Sequence, residues 1–187
     1  MIAAILFTGC KNPFALRSPE KPETSTGWTP PLHPEEVLGK LQDSVNERNG
    51  EHFLRCFSDP AFTDKGYRFE PDPQTAAGYP EVFGSWSREK EQAVMQQAFS
   101  LTPKDSICSL SWTATVREFI TSDSAIFVRR YRLALHHRQQ NLPRIYEGDA
   151  EFWMTEDRSG AWAIYRWIDN SVSGSPSWSV LKASLGG

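Results

Sequence analysis

Cysteine is scarce in this chain, with three in 187 residues at Cys10, Cys56 and Cys108. None stands in a CxxC pair or at a Cys/His spacing, which argues against a structural zinc site. The apolar run at the N-terminus is far short of the ~20 residues needed to cross a bilayer. Positive charge is not in excess either, with 20 Lys and Arg against 23 Asp and Glu and a net charge of −3. A weakly acidic chain lacks the concentrated basic face that nucleic acid requires, so no nucleic-acid partner is expected. No phosphate-cradling Gly loop, nucleophile elbow or Ser/His/Asp order is visible, and no cofactor is expected. Two of the four histidines, His136 and His137, are adjacent on an expected strand. They point to opposite faces and cannot share an ion, so no metal is expected. What the chain has in quantity is aromatic residues, including seven Trp and eleven Phe, which can fill a core or line a cavity. Apolar residues at 39% and charged ones at 23% describe a globular chain, and the length allows one domain plus appendages.

The first ten residues, Met1-Ile-Ala-Ala-Ile-Leu-Phe-Thr-Gly-Cys10, have the apolar core and small-residue end of a secretory signal without its positive n-region. Phe7-Thr8-Gly9-Cys10 resembles the bacterial lipobox, with Phe7 where that pattern prefers Leu. The resemblance implies cleavage after Gly9, diacylglycerol on the Cys10 sulfur and a lipid-anchored protein of the bacterial cell envelope. Lys11, rather than Asp, after the cysteine implies the outer membrane, facing the periplasm. The alternative is an incidental apolar start on a cytoplasmic protein. Residues 11–31 are rich in Pro, Ser, Thr and Lys and read as an extended tether. The chain therefore divides into a signal remnant (1–9), a tether from Cys10 (10–31), a domain (32–172) and a Ser- and Gly-rich tail (173–187). The tail is expected to fray unless Trp178 docks on the domain. With Cys10 lipidated, Cys56 and Cys108 form either one disulfide or two buried thiols, and the spacing leaves both open.

Within 32–172, Pro34-Glu35-Glu36 opens a helix that carries Val37, Leu38, Leu41 and Val45 on one stripe. Asn49-Gly50 stops it, and a second short helix covers 51–57. Residues 61–84 read as irregular, with a short strand near Tyr67–Glu70. Ser85 or Ser87 caps a third helix running to Leu101. From Ile107 the residues become β-branched and aromatic, predicting strands at 107–119, 124–137, 144–156 and 161–170 in an antiparallel meander. Turns near 140 and 158–159 place Arg132 opposite Glu147, Arg130 opposite Asp149 and Arg166 opposite Glu151. The other face collects Phe127, Tyr131, Leu133, Tyr146, Ala150, Phe152, Met154, Tyr165 and Trp167.

This order of helices, short strand, helix and four long strands, closing on Gly160-Ala161-Trp162-Ala163-Ile164, resembles the NTF2-like superfamily of SnoaL and ketosteroid isomerase over about 32–172. The resemblance implies an α+β cone, with three N-terminal helices packed on a curved antiparallel sheet around a conical cavity. Ligand-binding candidates on the aromatic face are Tyr131, Tyr146, Tyr165, Trp167, Asp169 and Arg129. Asp169 is the one catalytic candidate. Among aromatics its pKa would rise and suit acid–base work, whereas at a strand end it would be solvated or cap a turn. His52 is either a structural group or a cavity residue. Arg129, once buried, needs a carboxylate, from Asp169 or from a ligand anion.

Because that fold hosts unrelated functions, three readings follow. One is a lipid-anchored, non-catalytic module binding a small apolar ligand, a peptide or an envelope protein. Another is a SnoaL-like lyase, isomerase or hydrolase using the pocket Asp. The third is a homodimer formed through a sheet face bearing Trp153 and Trp162, which is compatible with either.

Overall fold

The computed structural model describes residues 27–172 and 174–187, so the expected lipobox and nearly all of the tether lie outside the described residues. Helix α1 (Pro34–Asn46) starts with Pro in its first turn and Glu35 and Glu36 near its positive end. Its stripe of Val37, Leu38, Leu41 and Val45 is fully or almost fully buried. Arg48, at φ 57°, turns the chain, and Asn49 then caps α2 (Gly50–Arg55) by accepting from the Glu51 and His52 amides. The break at 48–50 is therefore also the start of the next helix.

Strand β1 (Arg68–Glu70) follows. The stretch expected to be irregular then contains two short helices, α3 (Pro73–Gly78) and α4 (Pro80–Phe83). Each begins at a proline, and Asp72 caps α3 by accepting from the Thr75 amide at 3.0 Å. Helices of six and four residues are too short to show an apolar period. Helix α5 (Arg88–Leu101) is capped by Ser87, as expected, and buries Val94, Met95, Ala98 and Phe99 together with Glu91.

Strands β2 (Cys108–Ile120), β3 (Ser124–Leu135), β4 (Ile145–Glu156) and β5 (Trp162–Ser171) form the antiparallel meander, and β1 adds to β5 in parallel. The sheet order is β1-β5-β4-β3-β2. Arg132 lies opposite Glu147 and Arg130 opposite Asp149, and both form ion pairs. Arg166 does not lie opposite Glu151. A bulge pairs Trp153 with Arg166 but Met154 with Ile164, leaving Tyr165 as the extra residue. Arg166 instead forms a two-pronged ion pair with Glu70 at 2.7 and 2.8 Å, and Glu151 takes Arg117 at 2.9 Å.

The residues expected to fray beyond 173 end in helix α6 (Trp178–Leu185), which buries Trp178, Ser179, Leu181, Lys182 and Ala183. Trp178 meets Trp167 edge-on at 4.7 Å. Apolar area gained at Trp178 and Leu181 stabilises this docking more than a free tail gains in entropy. Cys56 and Cys108 are buried free thiols, bonded to the His52 and Val45 carbonyls respectively. No helix among the described residues is long and apolar enough to cross a membrane.

Candidate functional site

The concave face of the sheet is where a cone-shaped fold would hold its cavity, and here α6 lies in it. Asp169, on β5, is completely buried. Its Oδ1 accepts from the Tyr131 hydroxyl at 2.8 Å. Its Oδ2 accepts from the Ser179 amide at 2.7 Å and the Ser179 hydroxyl at 2.6 Å. The Trp178 amide donates to the Tyr131 oxygen at 2.6 Å. Burial pushes the Asp169 carboxyl above its ordinary range, against the pull of these donors and of Lys182. Burial likewise holds the Tyr131 phenol well above its own range, with the Asp169 charge adding to the effect. The carboxylate is thus neither solvated nor open to a substrate. It caps α6 from a neighbouring strand, where the positive helix end favours a negative charge.

Asp72 completes this arrangement. It accepts from the Ser177 hydroxyl at 2.6 Å and the Thr75 hydroxyl at 2.7 Å, and its own amide donates to Ser179 Oγ at 3.0 Å. Burial raises its pKa, but these hydrogen bonds outweigh burial and leave it below the ordinary carboxylate range.

One turn further along α6, Lys182 is fully buried with its Nζ 2.9 Å from Glu91 Oε1. The ammonium lies 3.3 Å from the Phe69 ring centre and 3.4 Å from that of Trp167. Glu91 Oε2 also accepts from the Tyr67 hydroxyl and the Trp86 indole, each at 2.8 Å. Burial lowers the Lys182 pKa to about 8, while Glu91 and Asp169 resist the fall. Burial and the Glu91 charge raise that of Tyr67 well above its usual value. The centre of the cone therefore holds a charge pair clamped between rings, a cation–π arrangement with its counter-ion supplied by α5.

The structure brings together Tyr131, Trp167 and Asp169, all fully buried. Tyr146 is also fully buried, on the same face. Tyr165 is not with them: the bulge turns it out beside Lys65, whose Nζ stands 4.7 Å from its ring. Arg129 does not meet Asp169 but binds Glu118 on the neighbouring strand, with its guanidinium over the Phe127 ring. His52 packs against Trp28, with ring centres 5.4 Å apart. His137 bonds the Pro143 carbonyl. Trp153 and Trp162 do not form one patch, since Trp153 is half-buried on the convex face and Trp162 is buried in the core.

Sequence reasoning missed Glu91, Lys182, Ser179, Tyr67 and Trp86. The signal available was the apolar phrase Trp178-Ser-Val-Leu181 behind a Ser-Pro-Ser start, a short helix with Lys182 on its buried side.

An open concavity lies elsewhere. The segment from Trp28 to Pro31, expected to belong to the tether, runs against the domain. The Trp162 amide donates to the Pro31 carbonyl at 2.9 Å, and Lys40 sits 5.0 Å from the Trp28 ring. Between this strap and the start of β5 is a groove of about 440 Å³. Trp28, Pro31, Phe57, Phe62, Ala161 and Trp162 give it mostly apolar walls. Arg88 and Asp59, paired at 3.2 Å, also border it.

No protein-family model and no curated protein matches the chain. Solved structures do. An NTF2-like protein from Cytophaga hutchinsonii is 9% identical over 74% of this chain and 94% of its own, with a TM-score of 0.51. The fold is NTF2-like. A conserved protein from Planctomyces limnophilus is similar to this NTF2-like domain over 74% of this chain and 92% of its own, at 14% identity and a TM-score of 0.56. A protein of unknown function from Mycobacterium tuberculosis is similar at 13% identity over 80% and 81%, with a TM-score of 0.51. At these identities the likeness carries the NTF2-like fold and no activity.

Proposed function

We propose that this is a non-catalytic NTF2-like binding module, held at the bacterial envelope by lipid on Cys10. In this reading it takes a small apolar ligand in the groove between the Trp28–Pro31 strap and β5. One observation carries the non-catalytic part: the fully buried Asp169 carboxylate spends its oxygens on Tyr131 and on Ser179 of α6. An acid–base reaction needs a carboxylate within reach of a substrate, in a cavity with room for it. The groove supports the binding part, because its volume and mostly apolar walls are those of a small-molecule site.

The test uses 1-anilinonaphthalene-8-sulfonate as the probe, followed by its own fluorescence. Wild-type protein should bind it saturably, and Ala161→Phe, which fills the groove, should abolish the binding while the thermal midpoint stays unchanged. Equal binding by wild type and Ala161→Phe would overturn the assignment. The anchor is read separately, by labelled palmitate in the expressing bacterium. Incorporation into wild type and none into Cys10→Ser is the expected result, and an unlabelled wild type removes the anchor from the proposal.

A further inference from the structure

The bulge in β5 has a second effect, on the convex side of the sheet. There Tyr165, pushed out of the core, stands with Trp153 and Arg166 along a groove of about 480 Å³. The opposite wall is the 64–68 segment, which contributes Asp64, Lys65 and Arg68. Three cations and one carboxylate thus line a groove on a chain whose net charge is −3.

These groups are not equally committed. Arg166 is immobilised by Glu70 and lies 5.3 Å from the Trp153 ring centre. Trp153 is fixed in turn, its indole N–H donating to Glu151 at 2.7 Å. Asp64 is bound by Arg158 at 2.7 Å. Lys65 has only the Tyr165 ring and a long 3.4 Å bond to Thr155 Oγ1. Arg68 is exposed and enters none of the ion pairs among the described residues. The floor is therefore rigid and aromatic, while two cations on the rim are free to bind an anion.

We propose that this groove binds a ring compound bearing a carboxylate or a phosphate. The ring lies beside Tyr165 and against the Arg166 guanidinium, which itself lies over the Trp153 ring, because a guanidinium plane favours a flat aromatic face. The anion sits between Lys65 and Arg68, with the Arg68 fork matching two oxygens of either acid. This site is separate from the Trp28–Trp162 groove and does not depend on it.

The experiment follows the Trp153 indole N–H resonance of the full chain during titration. The probes are 2-naphthoate and 2-naphthyl phosphate, with neutral 2-naphthamide and ring-free hexanoate as controls. Both anionic ring probes should shift the resonance saturably, and whichever binds tighter names the acid. Arg68→Gln and Lys65→Gln should each weaken binding roughly tenfold, and added salt should weaken it further. Both residues are exposed, so both variants should keep the wild-type thermal midpoint. Ala161→Phe should leave this binding untouched. An equal response to 2-naphthamide or to hexanoate would overturn the proposal, as would unchanged affinity in Arg68→Gln. So would the absence of any shift at probe concentrations of about 10 mM, where even a weak site fills.

Discussion

Lys182 and Glu91 form an ion pair in which both side chains are fully buried. Removing one member of a buried ion pair leaves the other charge stranded, at a cost of about 3–5 kcal/mol. Lys182→Met should therefore destabilise the domain by that order in urea unfolding, because Glu91 stays buried with only Tyr67 and Trp86 as donors. The double variant Glu91→Gln, Lys182→Met should regain most of the loss. The pair also sets a pH dependence. The folded chain holds Lys182 near pKa 8 against an ordinary 10.5, so between those values the unfolded chain binds more protons. Stability from this group then increases as pH rises from about 8 to 10.5. Relative to the double variant, wild type should gain on the order of 3 kcal/mol across that window, and parallel curves would refute the lowered pKa.

Asp169 works in the opposite sense. Its folded pKa is raised by burial, so its contribution is full below the ordinary carboxylate pKa and declines as pH rises through the folded value. The stability of wild type relative to Asp169→Asn should accordingly fall on going upward from about pH 4. Nearby Gly148 is held to glycine by closeness. A Cβ there would stand 2.6 Å from the Tyr131 oxygen and 2.7 Å from the Asn170 carbonyl. Gly148→Ala should cost about 1–3 kcal/mol by overpacking and should loosen the Tyr131–Asp169 bond.

Among the elements, α6 is the one whose importance its composition hides. Trp178→Ala removes a fully buried ring that packs on Trp167 and Tyr131. A loss of about 3–5 kcal/mol in chemical unfolding is expected, against nearly nothing for a free tail. Hydrogen exchange should find the α6 amides nearly as protected as those of β4. The legibility of the elements follows the same divide. The β3–β4 register was readable because Arg130 and Arg132 meet Asp149 and Glu147 across a single turn, so local charge pattern and pairing agree. The β4–β5 register was not, because one extra residue at Tyr165 leaves no mark in an alternating pattern. The Glu91–Lys182 pair spans two elements far apart in sequence, and no local period connects them.

For the whole molecule, the NTF2-like order of elements survived in the pattern because the two long helices α1 and α5 and four long strands carry strong periods, while the Asn49-Gly50 stop marks the short α2. The content of the cone did not survive, since it depends on whether a short Ser-rich end folds back. Tyr131, Trp167 and Asp169 share a face, as alternation predicted, and on that face each contacts or supports α6. At this scale the proposed anchor has a mechanical prediction. Wild-type protein should sediment with membranes and Cys10→Ser should be released into the soluble fraction.

Helix α6 also bears on the order in which the molecule is made. The strands that face it, with Trp167 and Asp169, are synthesised before it, and until it emerges they have no Lys182 for Glu91 and no cap for Asp169 to provide. An incomplete chain exposes an unsealed sheet and a buried-to-be acid without its partner. Closure of the core over Glu91 and Asp169 thus waits until α6 has been made.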